Sequence, residues 1–262
     1  MTSMNIGHNK CTSGILLCGF AAFGIALSSV AQTPATQQDQ DARILLQKSD
    51  EVRFPNQGFE VSVSVQTSES GQVTEARQYK VLSKGNENTI VMVTAPAEER
   101  GQIMLMRARD LWLFLPSVSQ PVRISLAQRL TGQVANGDIA RANFSGDYVP
   151  KLAGTEKVGE QSYHILELTA VDRWVTYQRV RYWIAQSTYW PAKAEFYSLS
   201  GRLVKTCQYT GYKELAGRMR PTRLLMTDAL REGEVSTMEY SNMRFRDLPD
   251  KVFTKDYLKK LE

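Results

Sequence analysis

Along most of the chain, apolar and polar residues alternate with a period of two. Phe59, Val61, Val63 and Val65 interleave with Glu60, Ser62, Ser64 and Gln66, and the rhythm recurs as far as Met243. Successive side chains of an extended strand point to opposite faces, so the pattern predicts a sheet with one apolar and one wet face. Strands are predicted over Phe59–Thr67, Thr74–Ser83, Thr89–Thr94, Gln102–Ala108, Leu111–Leu115 and Val122–Ser125. Further strands are predicted over Tyr163–Ala170, Val175–Ala185, Ala192–Ser198, Arg202–Thr210, Arg220–Asp228 and Glu234–Asn242. Ser70-Gly71, Gly85-Asn86, Ser200-Gly201 and Glu232-Gly233 fall between them, where residues that tolerate positive φ close hairpins. Such short connections predict antiparallel neighbours, because a parallel pair needs a crossover of about a dozen residues or more.

The two ends and the middle depart from this rhythm. Ala42, Leu45, Leu46 and Val52 form a helical stripe, predicting a helix over Asp41–Val52 with Asp39 or Asp41 as its cap. Phe54-Pro55-Asn56-Gln57-Gly58 stops it. A second helix is predicted over Lys255–Leu261, capped by Thr254 with Asp256 in its first turn. The stretch Leu126–Gly159, with several glycines and Pro150, is predicted to be irregular: a lid or binding loop, or an exposed connection.

The first 31 residues read as an export signal. Lys10 precedes the apolar run Gly14–Leu27, which is too short to span a bilayer comfortably, and Ser29-Val30-Ala31 has the small-x-small form of a cleavage site. Gln32–Gln40 is rich in Gln, Thr and Pro and is expected to be a disordered linker before a single domain over 41–262. The formal net charge of +5 is spread along the chain, which argues against nucleic-acid binding. Beyond the signal, Cys207 is the remaining cysteine and His164 the remaining histidine. An internal disulfide is excluded, and His-based catalytic triads and zinc sites lack their residues. P-loop, nucleophile-elbow and dinucleotide motifs are missing, and Asp138, Asp147 and Asp172 read as turn residues. The expectation is a protein that is not an enzyme and needs no cofactor or metal.

Several strands carry large flexible or aromatic residues instead. Val61, Val63, Met104, Met106, Trp112, Phe114, Leu166, Tyr182, Phe196 and Met226 are the candidate lining of an apolar cavity, with Asp41–Val52 as plug or lid. Methionine repacks around ligands of varied shape, which suits an acyl chain. The same residues would equally build an ordinary closed core. Leu111, Leu113 and Leu115 flank Trp112 and Phe114, so that strand is expected to be covered on both faces. Arg179 and Arg181 are expected to face solvent.

The stretch Pro96–Pro121, with Pro96, Gly101, Asp110, Trp112, Pro116 and Ser117, resembles the outer-membrane lipoprotein-sorting (LolA-like) periplasmic carrier family. The segment with Trp183, Pro191, Phe196 and Gly201 and the terminal "DLPDKVFTKDYLKKL" extend the resemblance over nearly the whole mature chain. It implies a mainly β fold: an antiparallel half-barrel of about eleven strands with helices covering its concave face. It also implies a monomeric periplasmic carrier of a lipid or lipoprotein acyl chain, working between an inner-membrane transporter of the RND type and the outer membrane with transient membrane contact. The alternative is a ligand-free adaptor docking to such an exporter.

Overall fold

A computed structural model describes residues 36–141, 143–230 and 233–258, which belong to one compact unit. The expected signal 1–31, its cleavage after Ala31 and the start of the expected linker lie outside these residues. From Gln37 the expected linker is helical, and α1 spans Gln37–Arg53. The cap is Thr36: its Oγ1 accepts the Asp39 N–H at 3.2 Å while Asp39 Oδ2 accepts the Thr36 N–H at 3.2 Å. This reciprocal pairing satisfies two otherwise free donors and starts the helix a turn earlier than the apolar stripe suggests. Phe54 is extended and precedes Pro55, whose ring disfavours helix in the residue before it.

A first meander runs through β1 (Phe59–Glu69), β2 (Gln72–Lys84), β3 (Asn88–Ala95), β4 (Ile103–Arg107), β5 (Asp110–Phe114) and β6 (Val122–Ile124). The linking stretch carries a two-stranded ribbon, β7 (Arg129–Thr131) and β8 (Val134–Ala135), and the short helix α2 (Asn136–Ala140). A second meander follows through β9 (Tyr148–Val158), β10 (Gln161–Ala170), β11 (Arg179–Ala185), β12 (Pro191–Tyr197), β13 (Leu203–Leu215), β14 (Arg218–Asp228) and β15 (Glu234–Phe245). The stretch Leu126–Gly159 is thus more ordered than expected. Its end, β9, is an edge strand, the place where Pro150 is tolerated in a sheet.

The two meanders join along β1 and β15 into one antiparallel sheet of 13 strands, two more than the expected eleven, in the order β6-β5-β4-β3-β2-β1-β15-β14-β13-β12-β11-β10-β9. Val63, at the seam, lies opposite Tyr79 on one side and Tyr240 on the other. The sheet is not closed, since β6 and β9 are its edges. Laid flat, strands about 4.8 Å apart would separate these edges by about 58 Å. One continuous apolar cluster nevertheless holds Met104, Met106 and Leu111 near one edge and Leu166, Tyr182 and Ile184 near the other. The sheet is therefore curled into an open half-barrel.

The C-terminal segment covers the outer face near β3–β5. A 3-10 turn (Asp250–Phe253) and α3 (Lys255–Leu258) place Leu248, Val252, Phe253 and Leu258 against Leu82, Ile90, Ile103 and Leu105. Thr254 Oγ1 accepts the Tyr257 N–H at 3.3 Å, as its cap role requires. Before β4, Gly101 has φ +91°, and a Cβ there would sit 3.0 Å from the Pro116 ring. The Gly and Pro of the resemblance motif are thus spatial neighbours.

Candidate functional site

The register of the sheet sorts the candidate residues by face. Val61 and Val63 of β1, Met104 and Met106 of β4, Leu166 of β10, Tyr182 of β11, Phe196 of β12 and Met226 of β14 all join the concave cluster, and all are buried. Trp112 and Phe114 do not. Trp112 pairs with Leu105 and Phe114 with Ile103, both on the outer face, whereas Met106 and Met104 lie opposite Leu111 and Leu113. Period two carries Trp112 to the face beneath the C-terminal segment, where Lys255 Nζ lies 4.7 Å from its ring centroid. The concave face uses Leu111 from that strand instead, together with Tyr209, Leu224 and Tyr240. On the outer face, Arg179 stacks on Tyr197 and Arg181 on Trp183, both half exposed beside Glu167.

Two elements cover the concave face. Helix α1 packs against β9, β12 and β14 with Ala42 and Leu46 inward, and Ser49 Oγ lies 3.0 Å from the Tyr182 hydroxyl. The other cover is residues 125–147. Because β6 and β9 are opposite edges, the segment joining them must cross the mouth of the half-barrel. It buries Leu126, Val134, Ile139, Ala140 and Phe144 on the concave cluster.

Polar contacts fix this crossing segment at several points. Lys205 Nζ, buried on β13, donates to the Gln133 carbonyl at 2.7 Å and to Asp138 Oδ2 at 2.8 Å, and it also contacts the Tyr177 hydroxyl. Arg141 pairs with Asp147 and donates to the Asn86 and Ala108 carbonyls at 2.6 and 2.8 Å. Arg109 extends this network to Asp147 at 3.2 Å and Asp172 at 2.7 Å. Gln133 N–H donates to Ser236 Oγ at 2.8 Å. Of the expected turn residues, Asp172 accepts the Trp174 N–H and Asp138 the Ala135 N–H, each at 2.8 Å, while Asp138 and Asp147 also hold buried cations. Lys205 and Arg141 were not legible in the sequence, because both stand on stretches where a charge reads as solvated.

Beneath both covers, α1 contributes two buried ionisable side chains. Asp50 accepts the Phe144 N–H at 3.1 and 3.0 Å and the Ser145 N–H at 2.6 Å, and its burial holds the carboxyl above its ordinary range. Arg53, 6 % exposed, lies 3.6 Å from Asp50 and under the rings of Phe144 and Tyr209 at 4.5 and 5.4 Å. Cys207 is buried behind them, and desolvation pushes its thiol up to about 12, unlike a nucleophilic cysteine.

The covered interior is nearly full. One void of about 20 Å³ lies between Val61, Val63, Val81 and Ile139, and another of about 20 Å³ lies between Arg53, Phe196, Tyr209 and Met226. Each holds about one water, against about 300–1,000 Å³ for a small-ligand pocket. At the β6 edge the cover is incomplete. A groove of about 230 Å³ has a floor of Val93, Met104, Leu113, Ile124 and Leu130 and a rim of Arg77, Glu99 and Arg129. Tyr79 lines it too, its hydroxyl buried without a hydrogen bond.

An open β half-barrel whose apolar concave face is sealed by one helix and one crossing segment defines a class of protein, and the comparisons agree with it. A family model described as "Uncharacterized protein" matches residues 85–260. A crystal structure of a LolA superfamily protein from Nitrosomonas europaea is 59% identical, with a TM-score of 0.79, covering 82% of this chain and 98% of that one. The chain belongs to the LolA superfamily. A DUF1329 family protein from Desulfovibrio piger is 25% identical at a TM-score of 0.73, covering 85% of this chain and 100% of that one. A domain from Vibrio parahaemolyticus, provisionally assigned as outer membrane lipoprotein-sorting, shares the fold at 21% identity and a TM-score of 0.71, covering 84% of this chain and 99% of that one. None of the curated proteins compared matches this chain.

Proposed function

We propose that this protein is a periplasmic carrier that shelters an acyl chain of a lipid or lipoprotein on its concave face and hands it between an inner-membrane transporter and the outer membrane. The leader 1–31 would deliver it and be cleaved after Ala31. No covalent step is involved. The observation that carries the proposal is that the apolar face is covered by elements outside the large sheet, so they can leave without breaking one of its strand pairs.

The magnitudes make such an exchange plausible. The crossing segment buries Leu126, Val134, Ile139 and Phe144, worth about 1.5–3 kcal/mol each, or about 6–12 kcal/mol together. An acyl chain of about a dozen carbons recovers about 0.8 kcal/mol per CH₂, about 10 kcal/mol in all. Cargo can therefore offset the apolar burial that the segment gives up, which leaves the buried pairs of Lys205 with Asp138 and Arg141 with Asp147 as the cost of opening. The cargo shifts the balance of covered and open states only by its differential affinity for them. The groove over Met104 and Leu113 is the starting point of that exchange.

Titration of the purified mature protein with a fluorescent fatty-acyl probe tests the proposal. Saturable binding near one probe per chain, with faster amide exchange in 125–147 on binding, is the expected result. No saturable binding would reject it. The nearly filled interior favours a second reading, in which the covered protein is a rigid adaptor for an RND-type exporter. Tight binding of an exporter's periplasmic domain by protein that takes up no probe would establish that reading.

A further inference from the structure

Resting on the carrier reading, we propose that Arg53 is the anchor for an anionic head group, so that the cargo is an acyl chain ending in a carboxylate or phosphate within the cavity. Arg53 stands at the end of α1, in the middle of the apolar cluster. Its Nη1 is buried and donates no hydrogen bond. A guanidinium has five N–H donors, and leaving one desolvated and unused is costly. The neighbouring carboxylate pairs with it by charge but is too far for a hydrogen bond. Asp50 lies 3.6 Å from Nη1, and its oxygens are taken by the backbone N–H groups of Phe144 and Ser145.

The surroundings suit an amphiphile. Arg53 lines the small void with the apolar side chains of Phe196, Leu224 and Met226 and the ring of Tyr209, while the other side of the void carries Asp138 and Asp147, whose charges are met by Lys205 and Arg141. What covers the guanidinium is the ring of Phe144, part of the crossing segment that cargo is proposed to displace. Once Phe144 leaves, Asp50 loses that residue's N–H, and the head group competes with the Asp50 carboxylate for the exposed fork of donors while Tyr209 still flanks it. A planar guanidinium engages either a carboxylate or a phosphate through paired N–H donors, so the shared chemistry is an anionic head on an acyl chain.

Competition against the fluorescent acyl probe, using palmitate, methyl palmitate and a lysophosphatidylglycerol on the mature protein, decides the matter. Charge-assisted hydrogen bonds predict that at least one anion binds about ten-fold or more tighter than the neutral ester. Preference for palmitate identifies a carboxylate, and preference for the lysophospholipid a phosphate. Arg53→Met should abolish the difference, and Arg53→Lys should retain part of it. Equal affinity of all three ligands for the wild-type protein would overturn the anchor and leave the carrier standing. No displacement by any of them, with no probe bound, would sink the carrier reading itself.

Discussion

Single residues on the two faces of β5 carry opposite duties. Trp112 supports the C-terminal segment on the outer face, so Trp112→Ala should leave acyl-probe affinity unchanged. It should cost about 1–3 kcal/mol in urea unfolding and expose the segment after Phe245 to protease. A drop in probe affinity with an intact C-terminal segment would contradict this assignment. Asp50 makes a pH-dependent contribution of known sign. Burial raises its carboxyl in the native state, so the native protein binds a proton there that the unfolded chain has released. Stability from this group is therefore lost as pH rises above the unfolded value of about 3.9 and through the raised native one. Asp50→Asn removes that titration while keeping an acceptor for the Phe144 or Ser145 N–H. As pH rises from the unfolded carboxylate range through the raised native one, urea unfolding should show the variant gaining stability relative to wild type. A difference independent of pH would mean that Asp50 does not titrate there.

At the scale of elements, the crossing segment is held by contacts that single changes can release. Gly132 has φ +49°, and a Cβ there would collide with Thr67 Oγ1 and Ser236 Oγ. Gly132→Val should detach this stretch while the strand ladders remain. Lys205→Met leaves Asp138 buried without its cation, a loss of about 3–5 kcal/mol that falls on the segment's docking. Both variants should show faster amide exchange in 125–147 and faster probe uptake, read by stopped-flow fluorescence; unchanged uptake would mean that the segment is not the gate. Much of this architecture was legible beforehand, because period-two alternation marks each strand of a one-sided sheet and the Ser70-Gly71 turn fixes a hairpin. The side taken by Trp112 and Phe114 was not. Leu111–Leu115 is apolar at every position, and only pairing with β4 decides which residues share the face of Met104. The edge strand β9 was hidden by Pro150 and Gly154, which break the alternation but are harmless at an unpaired edge. Lys205 could not be found from spacing, because Gln133 and Asp138 are remote in sequence, and Arg53 reads as an ordinary i,i+3 partner of Asp50 until the distant rings of Phe144 and Tyr209 bury it.

For the whole molecule, the covers follow from topology. Two meanders zipped together along β1 and β15 leave β6 and β9 at opposite edges, so the chain between them has to cross the concave face. The half-barrel thereby carries its own occupant, an apolar segment standing where cargo would lie, with voids of about 20 Å³ beneath it and openings of about 230 and 250 Å³ towards the β6 and β9 edges. Carrying would then be an exchange of one apolar occupant for another, with the ladder of 13 strands unchanged. The measurement that tests this most directly is mass spectrometry of solvent extracts from protein purified out of its native cells, compared with the Gly132→Val variant. The account predicts a reproducible acyl lipid approaching one per chain, more weakly retained by the variant. Protein that is consistently empty in both forms, and that takes up no acyl probe when the segment is released, would contradict it.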